Sequence, residues 1–138
     1  MVTLIIGEPS TGKTTYARDH LGNGVCYDLD HIASALRLNL PNAERHEVAR
    51  ILANILLGGF REYASRYTDL ILIIRTAPTI NELEEIDPDV LVVCDKPRKG
   101  KHGNEITFDR TDFEQKIEAA EQWAMRKRVT VKRYPPRP

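Results

Sequence analysis

Four apolar runs recur along the chain, and each predicts a β-strand. They cover residues 2–6, 25–27, 69–74 and 90–95. The last two are almost unbroken stretches of Ile, Leu and Val, which is typical of parallel strands that are buried on both faces. A shorter run at residues 129–131 predicts a further strand at the edge of the sheet.

Helical segments separate these strands. They are predicted at 13–21, 30–36, 42–67, 81–86 and 111–128. Gly22, Pro88 and a Thr111-x-x-Glu114 capping box supply the stop and start signals.

The third helix carries large apolar residues at helical spacing, which predicts that they pack in the core around a kink at Gly58 and Gly59. These residues are Val48, Ile51, Leu52, Ile55, Leu56, Phe60, Tyr63 and Tyr67.

Strands that alternate with helices predict an α/β fold, in which helices flank a mostly parallel sheet of four to five strands in three layers. The length of 138 residues fits one domain over residues 1–134. Residues 135–138 are expected to form an extended or disordered tail.

The segment between the first strand and the first helix matches the phosphate-binding pattern G-x-x-x-x-G-K-[ST]. Backbone N–H groups at the start of the helix would surround a polyphosphate. The Lys13 ammonium would contact the outer phosphates, and the Thr14 hydroxyl would ligate Mg²⁺. The segment therefore predicts a site for ATP or GTP with Mg²⁺. Its residues are Gly7, Glu8, Pro9, Ser10, Thr11, Gly12, Lys13, Thr14 and Thr15.

Two aspartates, Asp28 and Asp30, follow the second strand. Because the carboxyl ends of parallel strands meet at one edge of a sheet, both carboxylates are expected near the γ-phosphate. One of them, with Asp28 the first candidate, would hold Mg²⁺ or take a proton from an attacking hydroxyl, and the other would orient the acceptor. The alternative is that Asp30 only caps the helix that follows.

Arg75 ends the third strand, where an ordinary P-loop ATPase carries an aspartate. Its guanidinium is expected to face the same edge and to pair with a phosphate or with Asp28. Asp95, after the fourth strand, is either a displaced Mg²⁺ ligand or a residue that caps a loop. The catalytic candidates are therefore Lys13, Asp28, Asp30 and Arg75, and the metal candidates are Thr14 and Asp28.

Composition adds further limits. The net charge is zero, but residues 1–95 hold 8 Lys and Arg against 14 Asp and Glu, whereas residues 96–138 hold 12 against 6. A nucleic-acid partner would therefore be sought in the C-terminal region. No signal peptide or membrane-spanning run is recognised, which favours a cytoplasmic protein without membrane contact. Cys26 and Cys94 are expected to be buried, reduced thiols.

The order of these features resembles the small P-loop kinases, such as shikimate kinase, gluconate kinase and polynucleotide kinase. The segment Ile73-Ile74-Arg75-Thr76-Ala77-Pro78, taken with the phosphate-binding loop, further resembles small AAA-type ATP-binding proteins that are often encoded by bacteriophages. Over residues 1–97, the resemblance implies a P-loop NTPase fold with strand order 2-3-1-4, and ATP with Mg²⁺. It does not fix the phosphoryl acceptor.

The basic segment 98–104 departs from that family pattern. It is interpreted as a lid over the phosphates, as a nucleic-acid contact or as a solvated loop. Two functions stay open. One is a phosphotransferase that moves the ATP γ-phosphate to a nucleoside, nucleotide or polynucleotide. The other is an ATPase or nucleotide-dependent accessory protein in phage or mobile-element DNA metabolism.

Overall fold

The structure is a computed structural model that describes residues 1–8, 11–37, 44–95 and 110–135, without the side chains of 44–46 and 110–111. The described residues form five strands and five helices. In chain order these are β1 Val2–Ile6, α1 Lys13–His20, β2 Val25–Asp28, α2 Leu29–Leu36, α3 Glu44–Ala64, β3 Ile71–Ile74, α4 Ile80–Ile86, β4 Val90–Cys94, α5 Arg110–Lys127 and β5 Thr130–Tyr134. The predicted cap at Asn42, the basic segment 98–104 and residues 136–138 lie outside the described ranges.

The strands form one parallel sheet in the order β2-β3-β1-β4-β5. β1 is central, and its register pairs Ile5 with Ile74 of β3 and Ile6 with Val93 of β4. The α/β class, the parallel sheet and the flanking helices in three layers are confirmed. β5 adds the predicted edge strand beside β4.

Alternate strand residues point to opposite faces of the sheet, so each face carries its own apolar cluster. The helices cover these two faces unequally. On one face, side chains of α2, α3, α4 and α5 pack in a single large cluster. On the other face, Tyr16 and Ala17 of α1 pack against Ile5, Leu72 and Val92. This second cluster lies between the sheet and α1, the helix that follows the loop after β1.

The long helix α3 packs on small residues rather than large ones. Its buried positions are Ala49, Ala53, Leu57 and Ala64. The large residues predicted to be core are exposed, from 43% at Leu52 to 72% at Tyr67, with the exception of the partly buried Phe60. That core prediction is therefore wrong. Alanines allow α3 to lie close to α2, and this leaves the larger side chains on the outer side.

Two smaller predictions are also wrong. α5 begins at Arg110, so Thr111 lies inside its first turn and is not the N-cap. Cys26 is exposed because β2 is an edge strand, whereas Cys94 is buried as predicted, and both are free thiols. Within the described ranges, no helix is long and apolar enough to cross a bilayer.

Candidate functional site

The loop before α1 requires glycine at two positions. Gly7 has a φ of 153° and Gly12 a φ of 100°, both in the region that other residues rarely adopt. A Cβ on Gly7 would lie 2.5 Å from the carbonyl oxygen of Cys94 and 2.6 Å from Thr11 Oγ1. Gly7 therefore allows the loop to pass directly over the end of β4.

Lys13 is buried against this loop. Its Nζ donates hydrogen bonds to the carbonyl oxygens of Gly7 and Glu8, each at 2.8 Å. Thr11 Oγ1 donates to the Glu8 oxygen at 2.6 Å. The ammonium thus lies at the N-terminal end of α1, held by neutral oxygens that phosphate oxygens can replace.

The first turn of α1 has no side-chain cap at its N-cap position. Gly12 is the N-cap residue and carries no side chain that could accept from the N–H groups of the turn. The side chains of Thr14 and Thr15 are exposed at the same end. Positive partial charge at this helix end favours a negatively charged ligand. Pro9 and Ser10, which complete the predicted loop, lie outside the described residues.

Asp28 ends β2 and caps α2. Its Oδ1 accepts a hydrogen bond from the N–H of His31 at 3.0 Å, so the residue that caps this helix is Asp28 and not Asp30. The register places Asp28 beside Ile74 and thus level with Ile5. Since adjacent strands lie about 4.8 Å apart, Asp28 is roughly 10 Å from β1. Its Oδ2 accepts no hydrogen bond from any residue that the structure describes.

Asp28, one of the two partners that the sequence predicted for Arg75 beside a phosphate, does not pair with it. Arg75 Nη1 donates to Asp30 Oδ1 at 2.8 Å, and its Nε donates to Glu82 Oε2 at 2.9 Å. A further bond joins Nη2 to Glu82 Oε1 at 3.2 Å. Arg75 is therefore held between α2 and α4 in a buried ion-pair network with a two-bond fork on Glu82.

Asp30 is fully engaged in the same network. Besides Arg75, it accepts from the Thr76 backbone N–H at 2.6 Å and from the Thr76 hydroxyl at 2.5 Å, both through Oδ2. These bonds fix the start of the loop after β3. Asp30 thus joins β3 to α2 at the edge of the sheet, and its oxygens are already used.

The opposite charges of Arg75 and Glu82 stabilise the charged form of each group. Burial by itself lowers the pKa of Arg75, but bonds to Glu82 and the charges of Glu82 and Asp30 outweigh burial and raise it. Burial by itself raises the pKa of Glu82, but Arg75 outweighs it and holds that pKa below its ordinary value. Both groups are therefore charged at neutral pH.

Sequence reasoning missed Glu82 altogether. Glu82 forms a capping box with Thr79, in which each residue's side chain accepts from the other's backbone N–H at 3.2 Å. The T-x-x-E spacing could have identified the start of α4. No local pattern could have shown that this glutamate also binds Arg75.

Cys94 is the last residue of β4, the strand that pairs directly with β1, and Asp95 follows it. Burial raises the pKa of the Cys94 thiol to about 11, although the nearby charge of Lys13 acts in the opposite direction. Asp95 is exposed, and its backbone N–H donates to the Tyr134 oxygen at 2.8 Å. Asp95 is thus one strand away from the loop, whereas Asp28 is two strands away.

The candidate magnesium ligands do not form a complete protein site. Among the described residues, no group of three His, Cys, Asp or Glu side chains could hold a metal ion. Magnesium commonly keeps several waters and uses one or two carboxylates together with substrate phosphates. The exposed Thr14 hydroxyl and the Asp28 carboxylate are oxygen ligands of the kind that this smaller requirement needs.

Comparisons with known proteins add information on the fold. No protein-family model matches the chain, and no curated protein matches it. The crystal structure of TT1252 from Thermus thermophilus is similar, with a TM-score of 0.52 and 17% sequence identity. The match covers 96% of this chain and 86% of that chain. At this identity, the similarity concerns the architecture alone.

Proposed function

We propose that the chain binds ATP with Mg²⁺ at residues 7–15 and transfers the γ-phosphate to a nucleoside, nucleotide or polynucleotide end. The observation that supports this most directly is the position of Lys13. Its ammonium donates to the Gly7 and Glu8 carbonyls beside the N-terminus of α1. A polyphosphate placed there would meet backbone N–H groups, a helix dipole and a cation together. A cytoplasmic location, where ATP and Mg²⁺ are supplied, is part of the proposal.

Asp28 is the carboxylate that we assign to the transfer step. A hydroxyl oxygen of the acceptor attacks the γ-phosphorus, the bond to the bridging oxygen of ADP breaks, and the hydroxyl proton passes to the carboxylate. One oxygen of Asp28 caps α2 and thereby fixes the side chain. The other oxygen is available for Mg²⁺ or for the acceptor. Thr14 would supply the second protein oxygen to Mg²⁺.

Asp30 and Arg75 have a different role in this proposal. Their polar groups already bond to each other, to Thr76 and to Glu82. Arg75 is buried, so contact with a phosphate would require this ion-pair network to open, which is costly. We therefore propose that they hold the loop after β3 in place beside the nucleotide site, without contact to the transferred phosphate.

A second function, ATP hydrolysis for a partner, is favoured by one observation. The exposed residue Asp95 directly follows β4, which lies next to β1, so Asp95 is laterally nearer to the loop than Asp28. A carboxylate there could organise Mg²⁺ and water without an acceptor pocket. The protein would then act as an accessory ATPase, as in phage or mobile-element DNA metabolism.

One experiment distinguishes the two functions. Labelled ATP is incubated with nucleosides, nucleotides and oligonucleotide ends, and phosphate release is measured in parallel without any acceptor. Label that moves to an acceptor, and that is lost in Asp28→Asn but not in Asp95→Asn, supports the transferase. Hydrolysis without transfer, lost in Asp95→Asn, supports the ATPase. Absence of both activities and of nucleotide binding would refute the proposed site.

A further inference from the structure

α3 carries an apolar stripe on the side that the sheet does not cover. The α3 stripe comprises Val48, Ile51, Leu52, Ile55, Leu56, Gly59 and Tyr63. Positions 48, 52, 55, 59 and 63 follow one side of a helix, because they recur at intervals of four and three residues. The side chains of the stripe are exposed by 43% to 65%. Solvent exposure of so many large apolar residues in one row calls for a partner surface.

Two glycines in the middle of α3 are not explained by any contact with the part of the chain that the structure describes. A Cβ added to Gly58 or Gly59 would have no neighbouring atom within 4 Å among the described residues. Neither residue has a positive φ. Since glycine weakens a helix interior relative to alanine, some other advantage must offset it. Absence of a side chain is an advantage where a second backbone approaches closely.

We propose that the α3 stripe is the interface of a homodimer, in which α3 packs antiparallel against α3 of a second copy. With a two-fold axis beside Ile55 and Leu56, the spacing places Leu52 opposite Gly59 of the partner subunit. Val48 then lies opposite Tyr63 of the partner subunit. Gly59, which has no side chain, thus meets the large side chain of Leu52 of the partner subunit. The two-fold axis repeats this contact once, as an isologous interface requires.

The exposed area of the α3 stripe agrees with a second copy of the chain as its partner. The large residues of the stripe, exposed by 43% to 65%, form an apolar patch comparable with the largest that monomers leave open, roughly 300–600 Å². A standard interface takes about 800 Å² from each partner, and about 65% of a homodimer interface is apolar. Exposed Glu47 and Glu62 border the stripe and would form part of the polar rim. The stripe is therefore large enough to form the apolar core of such an interface.

The stripe shares no residue with the nucleotide site, so the dimer and the proposed function stand or fall separately. Its test is the oligomeric state of the full chain, measured by sedimentation velocity over a wide range of protein concentration. The wild type is expected to form a reversible dimer. Wild-type protein that stays monomeric over the whole range would overturn the proposal, and the stripe would then serve a different partner.

Two variants locate the interface. Ile55→Glu places a charge at the two-fold axis and is expected to raise the dimer dissociation constant by at least about 30-fold, as for a central hot spot. Ile55 is 65% exposed, so the fold should tolerate the change. The matched control is Met125→Glu on α5, where an apolar residue that is 73% exposed receives the same charge. The control should dimerise as the wild type does.

Gly59→Leu tests whether the α3 helices of the two copies approach each other closely at this position. Leucine favours a helix more than glycine does, so the thermal midpoint of the dissociated chain should rise. The added side chain would meet Leu52 of the partner subunit, so dimerisation should weaken. Opposite signs of these two effects support the proposal. A dimer that forms equally well in Gly59→Leu and Ile55→Glu would show that its interface lies elsewhere.

Discussion

Lys13 is the single residue on which nucleotide binding is expected to depend most. Its Nζ already lies over the loop at 2.8 Å from two carbonyl oxygens. In Lys13→Ala, a bound triphosphate would keep only neutral donors, and bonds to charged groups are about twice as strong as neutral ones. We therefore expect ATP binding to be lost in a calorimetric titration.

The control for this variant is Lys116→Ala, which removes a lysine from the exposed surface of α5. ATP affinity should be unchanged in the control. Thermal unfolding of Lys13→Ala should be measured as well, because the Lys13 side chain also bonds to two carbonyl oxygens of the loop. A well-folded Lys13→Ala protein with wild-type affinity would contradict the assignment of the loop.

Asp28 allows a substitution that separates chemistry from helix capping. Asparagine caps a helix about as well as aspartate, so Asp28→Asn should keep the bond from the His31 N–H and the stability of α2. It removes the charge and the basicity that a proton acceptor needs. Turnover should fall about 10²- to 10⁴-fold, with little change in nucleotide affinity.

Steady-state rates and binding titrations on Asp28→Asn and Asp95→Asn measure this prediction. Asp95→Asn is the matched control at the end of the neighbouring strand. The prediction fails if Asp28→Asn is fully active while Asp95→Asn has lost activity, because the metal or base would then belong to β4.

At the scale of elements, the Arg75 network joins α2, β3 and α4, and it predicts a dependence of stability on pH. The pKa of Glu82 is lower in the folded protein than its ordinary value of 4.5, with burial opposing the effect and Arg75 causing it. A lowered pKa stabilises the fold fully above about pH 4.5. This contribution is lost as the pH falls through the lower, folded-state pKa.

Glu82→Gln tests that contribution. It leaves the Arg75 charge partly uncompensated, so the variant should be destabilised at pH 7, by up to about 3–5 kcal/mol for a broken buried pair. The difference from the wild type should shrink as the pH is lowered below 4.5. Urea unfolding at a series of pH values measures both effects. Glu85→Gln, at an exposed position of the same helix, should match the wild type throughout.

The same elements show what the sequence could and could not predict. Strand and helix order was readable because each element has its own local period. The buried face of α3 was not readable, because Ala49, Ala53 and Leu57 repeat with the same period as Val48, Leu52 and Ile55. Periodicity identifies a helix with two apolar sides, and only tertiary packing selects the buried one.

The candidate site divides in the same way. The need for glycine in the loop before α1 was predictable, because Gly7 and Gly12 lie in one contiguous segment and meet a local backbone requirement. Phosphate binding by this loop stays a prediction. The partners of Arg75 were not, because Asp30 and Glu82 come from separate helices. A strand-end arginine predicts that some anion lies nearby. It does not indicate whether that anion is a substrate or a side chain.

At the scale of the whole molecule, charge is divided between an acidic N-terminal part and a basic C-terminal part. Some of the basic excess is already paired within the fold, as in the contacts of Arg133 with Glu121 and of Lys127 with Glu84. Residues 98–101, which hold Arg98, Lys99 and Lys101, lie outside the described ranges, so their role stays a prediction from the sequence.

Neutralising Arg98, Lys99 and Lys101 together should reveal that role. As a lid, these residues would bring positive charge onto the transferred phosphate, so their loss should lower turnover and leave any DNA affinity unchanged. As a nucleic-acid contact, their loss should weaken binding to any sequence and flatten its salt dependence by about 0.7 to 0.9 in slope per lost phosphate contact. We expect the lid result, because residues 96–107 contain no aromatic side chain on which bases could stack.

The measurement is a DNA titration at several salt concentrations beside ATP turnover with and without DNA. A matched triple variant at Arg126, Arg128 and Lys132, which are exposed at the end of α5 and in β5, controls for the loss of three charges. It should leave turnover at the wild-type level. The opposite result would be tight DNA binding that weakens steeply with salt and stimulates hydrolysis without transfer to any acceptor. The accessory ATPase would then be the better account, because the positive charge would act on the partner and not on the γ-phosphate.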